Sequence, residues 1–304
     1  MKTSSKSSPQ QSKSTLAEAM KATRRTFIFV GVFSAAINLL FLTQPFYMMQ
    51  MFDRVLPSRS FDTLVFLTVI AFTGIALLAF LDFLRQRLLA RVNSFLDQAL
   101  APEAFERAIS NTLRGKTYGT EALRDLNAVR GFLSSPGVTA IFDAPWTPLY
   151  LIVIFMVHPV LGAFAAGGAL LMLVIAFTNE IATRAPLRES GLAQMRAMRR
   201  VESTGRNAEA VSAMGMLPNL ARLWATDNLD VNQHQETASN RTAAVMALTK
   251  FVRLLLQLGI LASGGWLVVQ QELTAGAMVS ASLIFCRALA PVEQALGAWR
   301  GFVV

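Results

Sequence analysis

The sequence predicts an all-α integral membrane protein with six transmembrane helices, several of them prolonged by charged helical extensions. Three observations predict it. Of the 304 residues, 53% are hydrophobic and 15% charged, and the mean hydropathy is +0.44. The charges fall in blocks separated by apolar runs of transmembrane length. The longest uncharged interval, residues 144–179, holds 36 residues. As one helix it would measure about 54 Å against roughly 30 Å of hydrocarbon, so it has to contain more than one span.

Taken in order, residues 1–15 are rich in Ser, Lys and Gln and cannot bury enough apolar surface to fold, which predicts a disordered tail. Residues 26–52 carry no charge; the run is too long for a signal-peptide core and has no small-residue cleavage site, so it is a first span that stays. Pro45 kinks it. Asn38, Gln44 and Gln50 lie six apart and do not form one polar stripe. Residues 53–60 make a short connection to a second span over 62–82. Beyond it, Leu84, Leu88, Leu89, Val92, Phe95 and Leu96 keep a shared face, so the helix continues past the bilayer. Gly115 and Gly119 mark a turn, after which a helical pattern leads back to the membrane.

The third and fourth spans, 136–157 and 159–179, form a hairpin whose tip is His158-Pro159, since proline cannot continue the hydrogen-bond ladder and disfavours a helical residue before it. A charged helical stretch follows, with an interruption at Gly215 and Pro218. The fifth and sixth spans cover 253–271 and 273–299. The sixth carries Arg287, Glu293 and Arg300, which lipid would penalise, so they should face protein or water.

A net charge of +9 would suggest nucleic acid in a soluble protein, but beside membrane spans an excess of Lys and Arg is the ordinary orientation signal. Of 28 such residues, six lie in the tail, eight in 85–130 and ten in 184–253, against Arg54 and Arg59 in the first short connection. By the positive-inside rule the tail and both long excursions are cytoplasmic. Two histidines, a single cysteine (Cys286, inside an apolar segment) and no clustered carboxylates support neither a metal site, an intrachain disulfide nor a catalytic triad. The segment SNTLRGKT, residues 110–117, ends like a phosphate-binding loop, but Ser110 replaces its first glycine and a helix, not a strand, precedes it. The Met-rich YMMQMF of residues 47–52 reads as adaptable apolar packing, or else as a gating contact.

Four longer strings narrow the class: YMMQMFDRVLPSRSFDTL (47–64), LRDLNAVRGFLSSPGVTAIFDAPWTPLY (123–150), HPVLG (158–162) and LTAGAMVSASLIFCRALAPVEQALGAW (273–299). Together with six spans prolonged by helical extensions, they resemble the transmembrane, or permease, half of type I secretion ABC exporters, the branch that moves proteases and other RTX-type proteins. The resemblance covers residues 16–304. It implies a homodimer in the bacterial inner membrane, multi-pass with a cytoplasmic N-terminus, that passes an unfolded secreted polypeptide. It also implies a periplasmic membrane fusion protein and an outer-membrane channel as partners. ATP and Mg would bind a nucleotide-binding domain that is not among these residues, which predicts either a truncated chain or a separate ATPase subunit. A lipid, peptide or drug exporter, or a non-transporting membrane scaffold, is the alternative.

The resemblance makes Tyr118, Glu121, Met214 and Leu217, at the two far turns, candidates for coupling helices that receive the ATPase; simple solvated turns are the plainer reading. Arg287, Glu293 and Arg300 are candidates for lining the pathway, with a buried ion pair or an interfacial helix end as the alternative. Asp143 is predicted to be a structural switch: Pro145 and Pro148 should make the third span irregular there, and Trp146 would anchor the break near the interface. A carboxylate that snorkels to cytoplasmic water is the competing reading.

Overall fold

The computed structural model describes the backbone of residues 9–113 and 121–298, and side chains from Arg24 onward apart from scattered helix positions. The described residues are almost wholly helical. Among the described residues six stretches are long and apolar enough to cross a membrane: Arg24–Ser58, Phe61–Ser110, Pro136–Val157, Pro159–Thr178, Leu217–Val269 and Ala275–Gln294. The protein is a multi-pass membrane protein.

The first helix, α1, runs Pro9–Leu40. Residues 9–15 of the predicted tail are therefore helical: proline at the first helical position has the right φ and lacks an N–H that would go unbonded there. Residues 1–8 lie outside the described residues. α2 (Thr43–Gln50) follows a two-residue turn. The break falls at Phe41, four residues before Pro45, where the proline ring would meet the carbonyl of a continuous helix. A π-helical turn, Met51–Val55, and the short α3, Leu56–Ser58, then carry the chain on. The connection foreseen over 53–60 thus shrinks to the residues around Arg59, which has φ 52°. No glycine interrupts this stretch, and Pro57 sits in a first helical turn that tolerates it.

α4 is one helix, Phe61–Leu113, of 53 residues, about 80 Å long and so far more than a bilayer requires. α5 (Glu121–Leu133) packs back along it. Asn93 donates to the Ser134 hydroxyl at 2.8 Å, and Arg130 pairs with Asp97. α6 (Pro136–Asp143), a 3-10 turn (Ala144–Trp146) and α7 (Thr147–Val157) make up the third span. His158 is extended, with φ −159° and ψ 133°, and α8 (Pro159–Arg206) starts at the next residue. The Val160 N–H donates to His158 Nδ1 at 3.2 Å, so the imidazole covers an otherwise unbonded donor of the new helix. The hairpin is tight enough that a Cβ on Gly162 would lie 2.6 Å from the Phe155 Cα. α9 (Ala208–Ala213), α10 (Leu217–Val269) and α11 (Ala275–Ala298) are the remaining described helices.

Among the described residues the chain divides at 169/170 and 255/256 into two units. In the first, α1 lies along α4, while α11 packs on α2, α6 and α7. α11 is the most enclosed helix: Ala281, Phe285, Ala288 and Leu289 are wholly buried. Lipid removes the hydrophobic drive between helices, so close approach at small residues and interhelical hydrogen bonds take over. Gly74 meets Thr43 and Gly264 meets Met278 at distances that leave a Cβ no room. α4 instead presents Phe66, Ile70 and Phe72 outward, each at least 65% exposed, a surface suited to hydrocarbon. In the second unit, Ala193 and Ala197 of α8 pack with Val231 of α10, and Arg200 pairs with Asp227 at 2.5 Å. Gly215, with φ +63°, supplies the left-handed turn before α10.

Candidate functional site

The chemistry-bearing side chains of the first unit converge at the break in the third span. Pro145 and Pro148 cannot donate to the carbonyls of Ile141 and Ala144, so α6 stops at Asp143 and tightens into the 3-10 turn. The Asp143 side chain lies inside the packing, only 4% exposed. Its Oδ1 accepts from Ser34 Oγ at 2.5 Å, Asn38 Nδ2 at 2.8 Å and Arg85 Nη1 at 3.0 Å. Asp143 therefore joins three helices: α1 through Ser34 and Asn38, α4 through Arg85, and the third span itself.

The network extends in both directions. Arg85 Nη1 also donates to Ser34 Oγ at 3.0 Å, and its Nη2 pairs with Asp82 at 2.7 Å. The guanidinium thus bridges two carboxylates. Tyr150, one turn past the break on α7 and 1% exposed, donates to both the backbone carbonyl and the side-chain oxygen of Asn38, at 2.9 and 2.8 Å. Arg287 of α11 lines one cavity with the same tyrosine, and its guanidinium lies 3.1 Å from the centroid of the Phe41 ring. Two acids and two arginines therefore sit together, so the cluster is formally neutral, as groups removed from water require.

The carboxylate of Asp143 turns toward α1 and α4. Trp146 is half-buried beside the break. Arg287 is half-buried and stacks on Phe41. Glu293 is half-buried as well, and Arg300 lies outside the described residues. His158 and Pro159 form the hairpin tip, where His158 Nε2 faces Glu272 at 3.6 Å.

Tyr118 lies outside the described residues, as does the side chain of Glu121, whose backbone begins α5. Met214 and Leu217 are 72% and 63% exposed at the α9–α10 turn. Of the segment 110–117, residues 110–113 continue α4 and the rest lies outside the described residues. The described part is thus the end of a long helix, whereas a phosphate-binding loop follows a strand.

Sequence reasoning missed Ser34, Arg85 and Tyr150. Ser34 and Asn38 are four apart and so share a helix face, and Arg85, Leu89 and Val92 fall on one stripe of α4; both spacings were available. The pairing of Ser34 with Asp143, 109 residues apart, was not.

A second polar clasp lies where the π-helical turn meets α11. Asp53 accepts from Thr274 Oγ1 at 2.7 Å through one oxygen and from the Gly276 N–H at 3.0 Å through the other. Thr274 Oγ1 in turn accepts from the Ala277 N–H at 3.1 Å. Two orphan donors of the helix start are thereby satisfied. Ser280 Oγ donates to the Pro45 carbonyl at 2.6 Å, one turn farther along.

The comparisons with known proteins agree with this architecture. The chain is 38% identical over 291 residues to the type I secretion system ATP-binding protein PrsD of Rhizobium meliloti strain 1021, covering 94% of this chain and 50% of that protein. Along nearly its whole length the chain resembles part of a type I secretion ABC protein. The cyclolysin secretion/processing ATP-binding protein CyaB of Bordetella pertussis is 23% identical over 90% of this chain and 39% of its own length. In fold, the chain superposes on a bacterial Atm1-family ABC exporter solved with ATP bound. The TM-score is 0.76 at 15% identity, covering 92% of this chain and 51% of that one. No protein-family model matches the chain. The chain spans half or less of the length of these curated relatives.

Proposed function

We propose that the chain is the permease half of an ATP-driven exporter that passes an unfolded polypeptide across the bacterial inner membrane. The single observation that carries this reading is the 38% identity to a type I secretion protein along 94% of the chain. The helix arrangement supports it, because α4 and α10, each of 53 residues, are long enough to cross the bilayer and continue well beyond it. In the orientation set by the Lys and Arg distribution, the N-terminus and the extensions are cytoplasmic, while His158, Glu272 and the Asp53 clasp are on the outer side. ATP and Mg bind an ATPase domain or subunit outside residues 1–304. A two-fold dimer encloses the path, since one six-span half has no opposite wall. A periplasmic membrane fusion protein and an outer-membrane channel continue the route.

The exposed Met214 and Leu217 receive the ATPase at the α9–α10 turn. A cysteine at Met214 should crosslink to the ATPase in the assembled exporter; absence of the crosslink in every nucleotide state would remove this contact. For the function itself, hydrolysis by the reconstituted exporter should rise several-fold when an unfolded secretion substrate is added. Stimulation by lipids or small drugs, with none by polypeptide, would favour the alternative class of exporter.

A further inference from the structure

A cavity of about 260 Å³ opens in front of Arg287, lined by Phe41, Gln44, Tyr150, Ile284, Cys286 and Ala290 among others. At about 30 Å³ per water it has room for several waters or for a carboxymethyl group with a partial hydration shell. Arg287 lies 12 residues inside α11 from Ala275, about 18 Å along the helix and so near the middle of a 30 Å core. Lipid does not tolerate a guanidinium at that depth, so the cavity faces water or protein.

The electrostatics give the cavity a sign. Asp143 is paired with Arg85, which also holds Asp82. Arg287 shares the formally neutral cluster with Asp143, Asp82 and Arg85, but among the described residues no carboxylate stands within ion-pair distance of it, and its guanidinium lies over the Phe41 ring. Stacking uses the face of the guanidinium and leaves N–H edges available, and guanidinium edges match a carboxylate in geometry. Gln44, largely exposed, adds an amide donor to the same lining.

We propose that this cavity is a hydrated oxyanion site on the translocation path, which receives the carboxylate side chains of an acidic polypeptide in transit; the identity of the passenger rests on the export reading above. A lipid phosphate has the same oxyanion chemistry, but its headgroup resides at the interface and not at this depth.

Cys286, the chain's sole cysteine, lines the cavity beside Arg287 and serves as a built-in probe. The full chain in phosphatidylcholine nanodiscs is treated with methanethiosulfonate reagents of similar size, one bearing a sulfonate and one a trimethylammonium group. The sulfonate reagent should label Cys286 faster by about tenfold, as expected for a charge pair partly screened by water. Arg287→Gln should abolish that ratio and Arg287→Lys should keep most of it, which separates loss of charge from loss of fold. A glutamate-rich peptide should slow labelling and a lysine-rich peptide should not.

Labelling by neither reagent, or equal rates with both, would overturn the site. Protection by phosphatidylglycerol in the nanodisc, with none by the acidic peptide, would assign the oxyanion to lipid and overturn the proposal. The experiment needs neither ATP nor transport. An anion preference with peptide protection, found in an exporter that never moves polypeptide, would therefore count against the export reading and not against the site.

Discussion

Replacing Arg85 with leucine is expected to be the most damaging single change in the helix bundle. The guanidinium is 6% exposed and bridges Asp143 and Asp82, so its loss strands one fully buried carboxylate and one that is 32% exposed. Removing one partner of a buried pair costs about 3–5 kcal/mol, because the remaining charge has no solvent to return to. Ser34 and Asn38 still donate to Asp143, but neutral donors do not balance a charge in low dielectric. The expected result is a large drop in thermal stability of the detergent-purified chain. A second change, Asp143→Leu, should recover much of it, since a neutral apolar pair of similar volume is often tolerated where a broken ion pair is not. A double variant no more stable than Arg85→Leu would show that the pairing is not what holds these helices.

Asp143→Asn is predicted to behave differently. Arg85 keeps Asp82, and the asparagine oxygen still accepts from Ser34, so the fold should survive. The link that ties the break in the third span to α1 and α4 loses its charge, and in the switch reading export falls while ATP hydrolysis continues uncoupled.

The second large effect is expected at the proposed outer end. A Cβ on Gly276 would lie 2.5 Å from the Met49 carbonyl oxygen and 2.6 Å from Asp53 Oδ1. Valine there cannot be accommodated by rotating a flexible side chain, because one neighbour is backbone and the other is held by Thr274. Overpacking of this kind costs about 1–3 kcal/mol, and here it also expels the carboxylate that caps α11. Asp53→Ala removes only the cap, typically about 1 kcal/mol. The order expected in thermal melts is wild type, then Asp53→Ala, then Gly276→Val. Both variants should also open the turn around residues 51–59 to protease added from the outside. Equal protection in all three would mean that Asp53 does not fasten this end.

Much of this arrangement was legible in the sequence, for reasons that can be stated residue by residue. The six spans follow from uncharged lengths, the hairpin tip from His158-Pro159, and the irregular third span from Pro145 and Pro148, all of which act locally through backbone hydrogen bonding. The partners of Asp143 were not read. Arg85 counts as a positive charge at the end of a span, and only the stripe it shares with Leu89 and Val92 marks it as buried. Phe95, assigned to that same face, is 45% exposed instead, since six hydrophobic positions within thirteen residues exceed one narrow stripe. The Asp53 clasp depends on a π-helical turn in MFDRV that no glycine or proline announces and on a contact 221 residues away in sequence. Periodicity carries no information about either.

The central claim, that this chain is the membrane half of a polypeptide exporter, is tested most directly in inside-out proteoliposomes containing the chain with its ATPase. Labelled unfolded secretion substrate and ATP are added outside, and the fraction of substrate protected from added protease is measured. The account predicts ATP-dependent accumulation of protected polypeptide, strongly reduced by Asp143→Asn. Vigorous hydrolysis with no protected polypeptide, while a lipid or drug accumulates instead, would contradict it.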